Sequence, residues 1–183
     1  MTVKYSEIMT FTGELFNFAD PQPDQVDIRD IAHALSLTCR FSGHCPVFYS
    51  VAEHSIRVAH ISLPEDKLSG LLHDAAEAYI TDIPGPAKAL LPDYQALEIK
   101  VFRAIARKFA ISEAHPASVK KADGILLATE AREFYPLQWH LWELKYPPLE
   151  GHIIPMSPKE AEEAFLSLYY QLCEERSPHA FRD

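Results

Sequence analysis

Apolar residues recur along most of this chain at the spacing of one helical face. Ile28, Ile31, Ala32 and Leu35 fall at i, i+3, i+4 and i+7, and Asp27 is placed to cap the helix they define. Ser50-Val-Ala-Glu53 has the form of a capping box and predicts a helix running to about Ile61, stopped by Pro64. Leu68, Leu71, Leu72, Ala75 and Tyr79 make the buried stripe of a helix expected over about 66–80. Thr81-Asp-Ile-Pro-Gly-Pro86 ends it, because proline lacks a backbone donor and biases the preceding residue away from helix. Asp93 opens the next helix, whose face carries Leu97, Val101, Ile105 and Phe109, and another is expected from Ser118 to about Phe134. The last starts at Ser157-Pro-Lys-Glu160, a second capping box with proline at its favoured first position. Ala161, Ala164, Phe165, Leu168 and Leu172 form its buried face.

Three stretches lack this period. Residues 5–26 mix Phe11, Phe16 and Phe18 with Pro21 and Pro23 and read as an extended or short-strand lead-in. Residues 40–49, with Gly43 and Pro46, read as a loop, and 136–155, rich in Trp, Tyr and Pro, as irregular chain. Alternating Val/Ile runs are nearly absent, so the expected class is all-α: a compact helical bundle with an irregular N-terminal lead-in and a C-terminal helix.

The composition narrows the function. With 183 residues the chain fits a single domain, and 48% hydrophobic against 23% charged residues suits a globular core rather than disorder. The formal net charge of −9 makes a poor binder of duplex nucleic acid, which needs clustered Lys and Arg. Cys39, Cys45 and Cys173 contain no CxxC pair and are odd in number, so free thiols in a reducing compartment are expected. No basic segment followed by an apolar run opens the chain, and no apolar stretch approaches the length of a membrane span. The expectation is a cytoplasmic protein without membrane contact.

The chemistry gathers on four residues. His73-Asp74 alone is uninformative, since nine His and ten Asp in this chain produce about half of one such pair by chance. His54 lies in the first turn of the preceding helix, however, and Asp123 in a later one, giving two imidazoles and two carboxylates on three helices expected to pack together. Facing side chains of a bundle can converge on one cation in this way. A mixed N/O set suits Mn, Fe, Co, Ni or Zn better than Ca.

His54, His73-Asp74 and Asp123 together resemble the H…HD…D signature of the HD-domain metal-dependent phosphohydrolases. Ser50-Val-Ala-Glu-His-Ser55, His73-Asp-Ala-Ala-Glu77, Thr81-Asp-Ile-Pro-Gly-Pro86 with Lys88, and Lys121-Ala-Asp-Gly124 are similar to the bacterial 5′-deoxynucleotidase branch, as is the basic-aromatic pair Arg40-Phe41. The resemblance spans about 40–132, within a motif-bearing core of about 27–135, and implies one HD-type domain over 1–183. It implies that His54, His73, Asp74 and Asp123 hold one divalent ion, Mn, Co, Ni, Fe, Zn or Mg, which activates water and polarises a phosphoryl group. Glu77 would activate or orient the attacking water, with Asp74 beside it in the catalytic group. Arg40 would clamp the phosphate and Lys88 contact it, Asp82 would accept from the sugar hydroxyl, and Phe41 would wall the sugar or base. The implied activity is conversion of a deoxynucleoside monophosphate to deoxynucleoside and phosphate. A deoxynucleoside triphosphate triphosphohydrolase, dATP-selective for example, would use the same site, and an inert nucleotide-binding module is the non-enzymatic alternative. Relatives of that branch are often dimers, which leaves a homodimer or higher homo-oligomer open.

Plainer readings apply elsewhere. Glu53 serves the capping box, His33 is structural, His60 is on the surface, and His115, His140, His152 and His179 sit in loop or tail contexts. His44 competes with His54 as first ligand but sits in a loop. Trp139, Trp142, Tyr135 and Tyr146 read as core or dimer contacts before base-stacking platforms.

Overall fold

A computed structural model describes residues 5–176, so the readings of the first four residues and of His179 lie outside the described chain. The class is all-α, as the periodicity predicts. The lead-in forms an antiparallel hairpin, β1 (Glu7–Met9) and β2 (Leu15–Asn17), with Ile8 opposite Phe16. It is tied to the bundle by Asp30, whose carboxylate accepts from Thr12 N at 2.7 Å and Thr12 Oγ1 at 3.0 Å. Among the described residues eight α-helices follow: α1 (Ile28–Leu37), α2 (Val51–Ile61), α3 (Lys67–Leu71), α4 (Glu77–Ile80), α5 (Gly85–Lys88), α6 (Pro92–Lys108), α7 (Ala117–Phe134) and α8 (Pro158–Arg176). Among the described residues, no helix is long and apolar enough to cross a membrane.

The caps work unequally. Asp27 accepts from Arg29 N and opens α1. Ser157 and Glu160 form both halves of their box, Glu160 N donating to Ser157 Oγ at 3.3 Å and Ser157 N to Glu160 Oε2 at 2.8 Å. At α2 only half forms. Glu53 N donates to Ser50 Oγ at 3.1 Å, but the Glu53 carboxylate turns inward, taking Arg57 Nη2 at 2.7 Å and Met156 N at 2.7 Å. Glu53 thus clips the segment before α8 to α2, a tertiary task rather than the local one expected of it.

The helix expected over 66–80 is not continuous. α3 ends at Leu71 and α4 starts at Glu77, and between them Ala75 N bonds to Leu72 O and Glu77 N to Asp74 O, the tighter i to i+3 pattern. The His73 imidazole supplies a reason: its Nδ1 donates to Gly70 O at 2.8 Å, the carbonyl that Asp74 N would take in a regular α-helix. The rewound turn is where His73 and Asp74 sit.

α2 lies at the centre, packed on α1, α3, α7 and α8. Gly70 permits its approach to α3, since a Cβ there would stand 2.8 Å from Ser62 Oγ and 3.1 Å from Ala59 Cα. The main core joins Ile31, Leu35, Val51, Leu71, Leu72, Ile105 and Phe165. A smaller core of Tyr49, Val58, Val119, Leu126 and Phe134 underlies the loop bearing Arg40 and Phe41.

Candidate metal centre

α2 presents His54, the turn between α3 and α4 presents His73 and Asp74, and α7 presents Asp123. His54 is completely buried. Its Nδ1 donates to Glu130 Oε1 at 2.7 Å, since a carboxylate offers only acceptors, and this orients Nε2 toward the other three residues. His73 is fixed in the same sense by the Gly70 carbonyl, again leaving Nε2 free. Both Nε2 atoms are buried and neither has a hydrogen-bond partner.

What surrounds those two nitrogens is acidic. His54 Nε2 lies 3.2 Å from Asp123 Oδ1 and 3.7 Å from Asp74 Oδ2, and His73 Nε2 lies 3.2 Å from Asp74 Oδ2. His54, His73 and Asp123 each offer one ligand atom within 4.8 Å of the others, a spacing that could hold a metal ion. Burial and the nearby Arg40 work against a protonated His54, but Glu130 and Asp123 outweigh them and raise its pKa to about 9. A proton and a cation compete for the same Nε2 lone pair. Burial opposes charge on Asp74 and on Asp123 as well, yet the histidines beside them hold both carboxyls below the usual range, Asp74 the further. Ring nitrogens facing ionised carboxylates are a donor set that suits a borderline divalent cation.

Glu130 is the residue that sequence reasoning missed. Fully buried on α7, it accepts from His54 Nδ1 with one oxygen and from Arg40 Nη2, at 3.1 Å, with the other. Burial disfavours its charge, but Arg40 and His54 more than compensate and lower its pKa. A signal was available: Glu130 follows Asp123 by seven residues, two turns along the same face of α7.

The remaining predicted residues line one cavity of about 300 Å³ that opens on this cluster. Arg40, Phe41, Asp74, Glu77, Asp82, Lys88 and Asp123 all contribute to its wall. Arg40 Nη1 is 3.8 Å from Asp74 Oδ2, and although burial opposes its charge, Glu130 and Asp74 raise its pKa. Burial, with Asp74 and Asp82 nearby, pushes the Glu77 carboxyl well above the usual range, and its Oε2 has no hydrogen-bond partner. Lys88 Nζ lies 3.4 Å from Glu77 Oε1 and 2.6 Å from Glu98 Oε1. Asp82 is raised as well, first by burial.

The plainer readings fare variously. His33 pairs with Glu162 at 3.2 Å and stacks on Phe11, a structural histidine as expected. His44 and His60 are exposed. Trp142 is half-buried against Phe41 and Tyr135, ring centroids 6.1 and 5.4 Å away, and also lines the cavity. Tyr146 packs on α7 beside Asp123, where a Cβ on Gly124 would stand 2.7 Å from its ring. His115 is in a loop, as expected, but lies 6.3 Å from the His73 ring in a second cavity of about 360 Å³ shared with Asp74, Lys88 and Lys120.

No family model matches the chain. It is 32% identical over 121 residues, 61% of this chain and 62% of the other, to the uncharacterized protein RCAP_rcc00048 of Rhodobacter capsulatus. It is 39% identical over 178 residues to the uncharacterized protein YfdR of Escherichia coli, a match covering 93% of this chain and 98% of that one. An alignment that long at that identity places the two in one family, and the chain belongs to the family of YfdR.

Proposed function

We propose that this protein is a divalent-metal-dependent phosphohydrolase of deoxynucleotides, acting as a 5′-deoxynucleotidase that converts a deoxynucleoside monophosphate and water to deoxynucleoside and phosphate. One observation carries the reading: two buried imidazole Nε2 atoms meet the carboxylates of Asp123 and Asp74, each at 3.2 Å, at the edge of a cavity that also holds an arginine and a buried glutamate. Two imidazoles and two carboxylates drawn from three parts of the chain bring their ligand atoms together where one cation could replace the ring protons.

His54, His73, Asp74 and Asp123 would hold the ion, with Mn, Fe, Co, Ni and Zn better suited to their N/O set than Mg. When bound, it would lower the pKa of a water and polarise the phosphoryl group. Glu130 keeps His54 in the tautomer whose Nε2 can ligate. Arg40 offers a planar fork of donors to phosphate oxygens, and its hold on Glu130 fixes the approach of that fork. Glu77, on the cavity wall beside Asp74, would take a proton from the attacking water and release it later. Lys88 stands beside Glu77 as a second phosphate contact, Asp82 is available to a sugar hydroxyl, and Phe41 with Trp142 supplies a flat apolar wall for sugar or base.

A specific feature favours a second reading, hydrolysis of a deoxynucleoside triphosphate. The cavity of about 360 Å³ on the His115 side reaches the same Asp74 and Lys88 and adds Lys120, giving room for further phosphates, with Glu98 and Glu113 also in its wall. The test is a panel of deoxynucleoside mono- and triphosphates with metal-stripped protein and added Mn, Co, Mg or Zn, resolving phosphate from tripolyphosphate. Phosphate released from monophosphates with Mn or Co is the expected result. Tripolyphosphate would favour the second reading, and metal binding without any turnover would leave an inert nucleotide-binding module. Full activity after exhaustive stripping would remove the mechanism.

A further inference from the structure

We propose that Cys39 and Cys45 are a modification site, a reversible dithiol–disulfide couple closed across the loop that carries Arg40. Their Sγ atoms lie 3.5 Å apart although both thiols are free, and the bond between them would measure about 2.05 Å. The approach is built by the backbone. Phe41 and Ser42 take left-handed conformations at φ 55 and 51, and Gly43 follows at φ 77, so three successive residues turn the chain back on itself. Such geometry at two non-glycine residues is strained and persists only where the surroundings impose it. Here the imposition is visible: Cys39 bridges Ser50, and Arg40 N donates to Tyr49 O at 2.9 Å, which closes the loop at its base just before α2. Ser42, Gly43 and His44 are exposed, and both cysteines are partly so, which admits a small oxidant.

The reaction balances as thiol–disulfide exchange with a low-molecular-weight disulfide, RSSR. Cys39 Sγ attacks one sulfur and releases RSH, leaving a mixed disulfide on Cys39. Cys45 Sγ then attacks Cys39 Sγ and displaces the second RSH. The chain loses two hydrogens, both carried off on the two RSH molecules. Burial, with the Cys39 thiol beside it, pushes the Cys45 thiol up to about 11, so the closing step should quicken as pH rises.

The couple bears on Arg40 directly. The Cys45 thiol donates to the Arg40 carbonyl at 3.7 Å, and a disulfide has no S–H to donate. Closure therefore removes that bond and draws together the residues on either side of Arg40, whose guanidinium is registered on Glu130 and Asp74. Taken with the proposed phosphohydrolase reading, oxidation should weaken the hold on phosphate and raise KM.

The full chain, reduced and then equilibrated over a series of reduced and oxidised glutathione mixtures, is quenched, alkylated and mapped by mass. The expected result is a species two hydrogens lighter, linked Cys39 to Cys45, with Cys173 on α8 alkylated throughout and the link reversed by dithiothreitol. C45S should instead collect a glutathione adduct on Cys39. Both cysteines alkylated at every ratio, or a wild-type adduct on Cys39 that never closes, would overturn the couple. KM for a deoxynucleoside monophosphate should rise about fivefold on oxidation, the effect of weakening one charge-assisted hydrogen bond, and C39S should not respond. An unchanged KM in fully oxidised protein would overturn the link to Arg40. Absence of turnover in either state would strike the phosphohydrolase reading and leave the mass result standing.

Discussion

Glu53 and His54 are neighbours on α2, both with no exposed surface, and they serve opposite ends. The oxygens of Glu53 are taken, by Arg57 and by the Met156 backbone, and the result is a clip between two distant parts of the chain. His54 is held on one side by Glu130, and its other nitrogen faces Asp123 at 3.2 Å and Asp74 at 3.7 Å. Burial alone does not separate structure from function. What separates them is what the buried atoms face: Glu53 meets an arginine and a backbone donor, whereas His54 Nε2 meets two carboxylates that gather negative charge at one point. The helix places the two residues about 100° apart, and that angle aims one at the segment before α8 and the other at α7.

The sharpest test removes a ligand from the open side. Asp123→Ala should abolish metal retention and reduce turnover by about 10³-fold or more, the scale on which a metal-activated nucleophile exceeds water. Its side chain is 45% exposed, so the fold should survive the change. Metal content by elemental analysis and the thermal midpoint separate the two effects; retention of the ion would remove Asp123 from the centre.

A smaller effect is expected one layer out. Glu130→Gln keeps the shape but loses the charge that orients His54 and Arg40, and metal affinity should fall by about 10–100-fold. Titration with Co or Zn reads this, and an unchanged affinity would make Glu130 a partner of Arg40 alone. The smallest effect belongs to the closed side. Glu53→Gln should lower unfolding stability by roughly 1–2 kcal/mol, a figure reduced because the Arg57 side chain is 28% exposed, while metal affinity stays as it was. A loss of metal binding in this variant would break the contrast between the two faces of α2.

Much of this architecture can be read from local pattern. The starts of α1, α2 and α8 follow from Asp27, Ser50 and Ser157, since a cap acts within a single turn and leaves its mark in a few adjacent residues. That His54, His73 and Asp123 come within metal-binding distance of one another was expected from their residue types and places in the chain. The rewound turn at 72–76 was not, because the apolar stripe from Leu68 to Tyr79 continues across it with helical period. The break comes from the His73 ring taking a backbone carbonyl, and hydrophobic spacing carries no trace of such competition. Trp142 was equally hidden, for a tryptophan in an irregular segment has no period to show which way it faces.

The chain by itself determined the helices, their apolar faces and the identity of the polar residues those helices carry. These depend on interactions within a turn or two, where neighbours in sequence are neighbours in space. The tertiary structure decided which partners the polar atoms met: Glu53 on Met156, Glu130 between His54 and Arg40, and the two Nε2 atoms against Asp123 and Asp74. Such pairings join residues as far as 103 positions apart in the chain. Only packing brings them together, and only packing excludes the water that would otherwise satisfy them all.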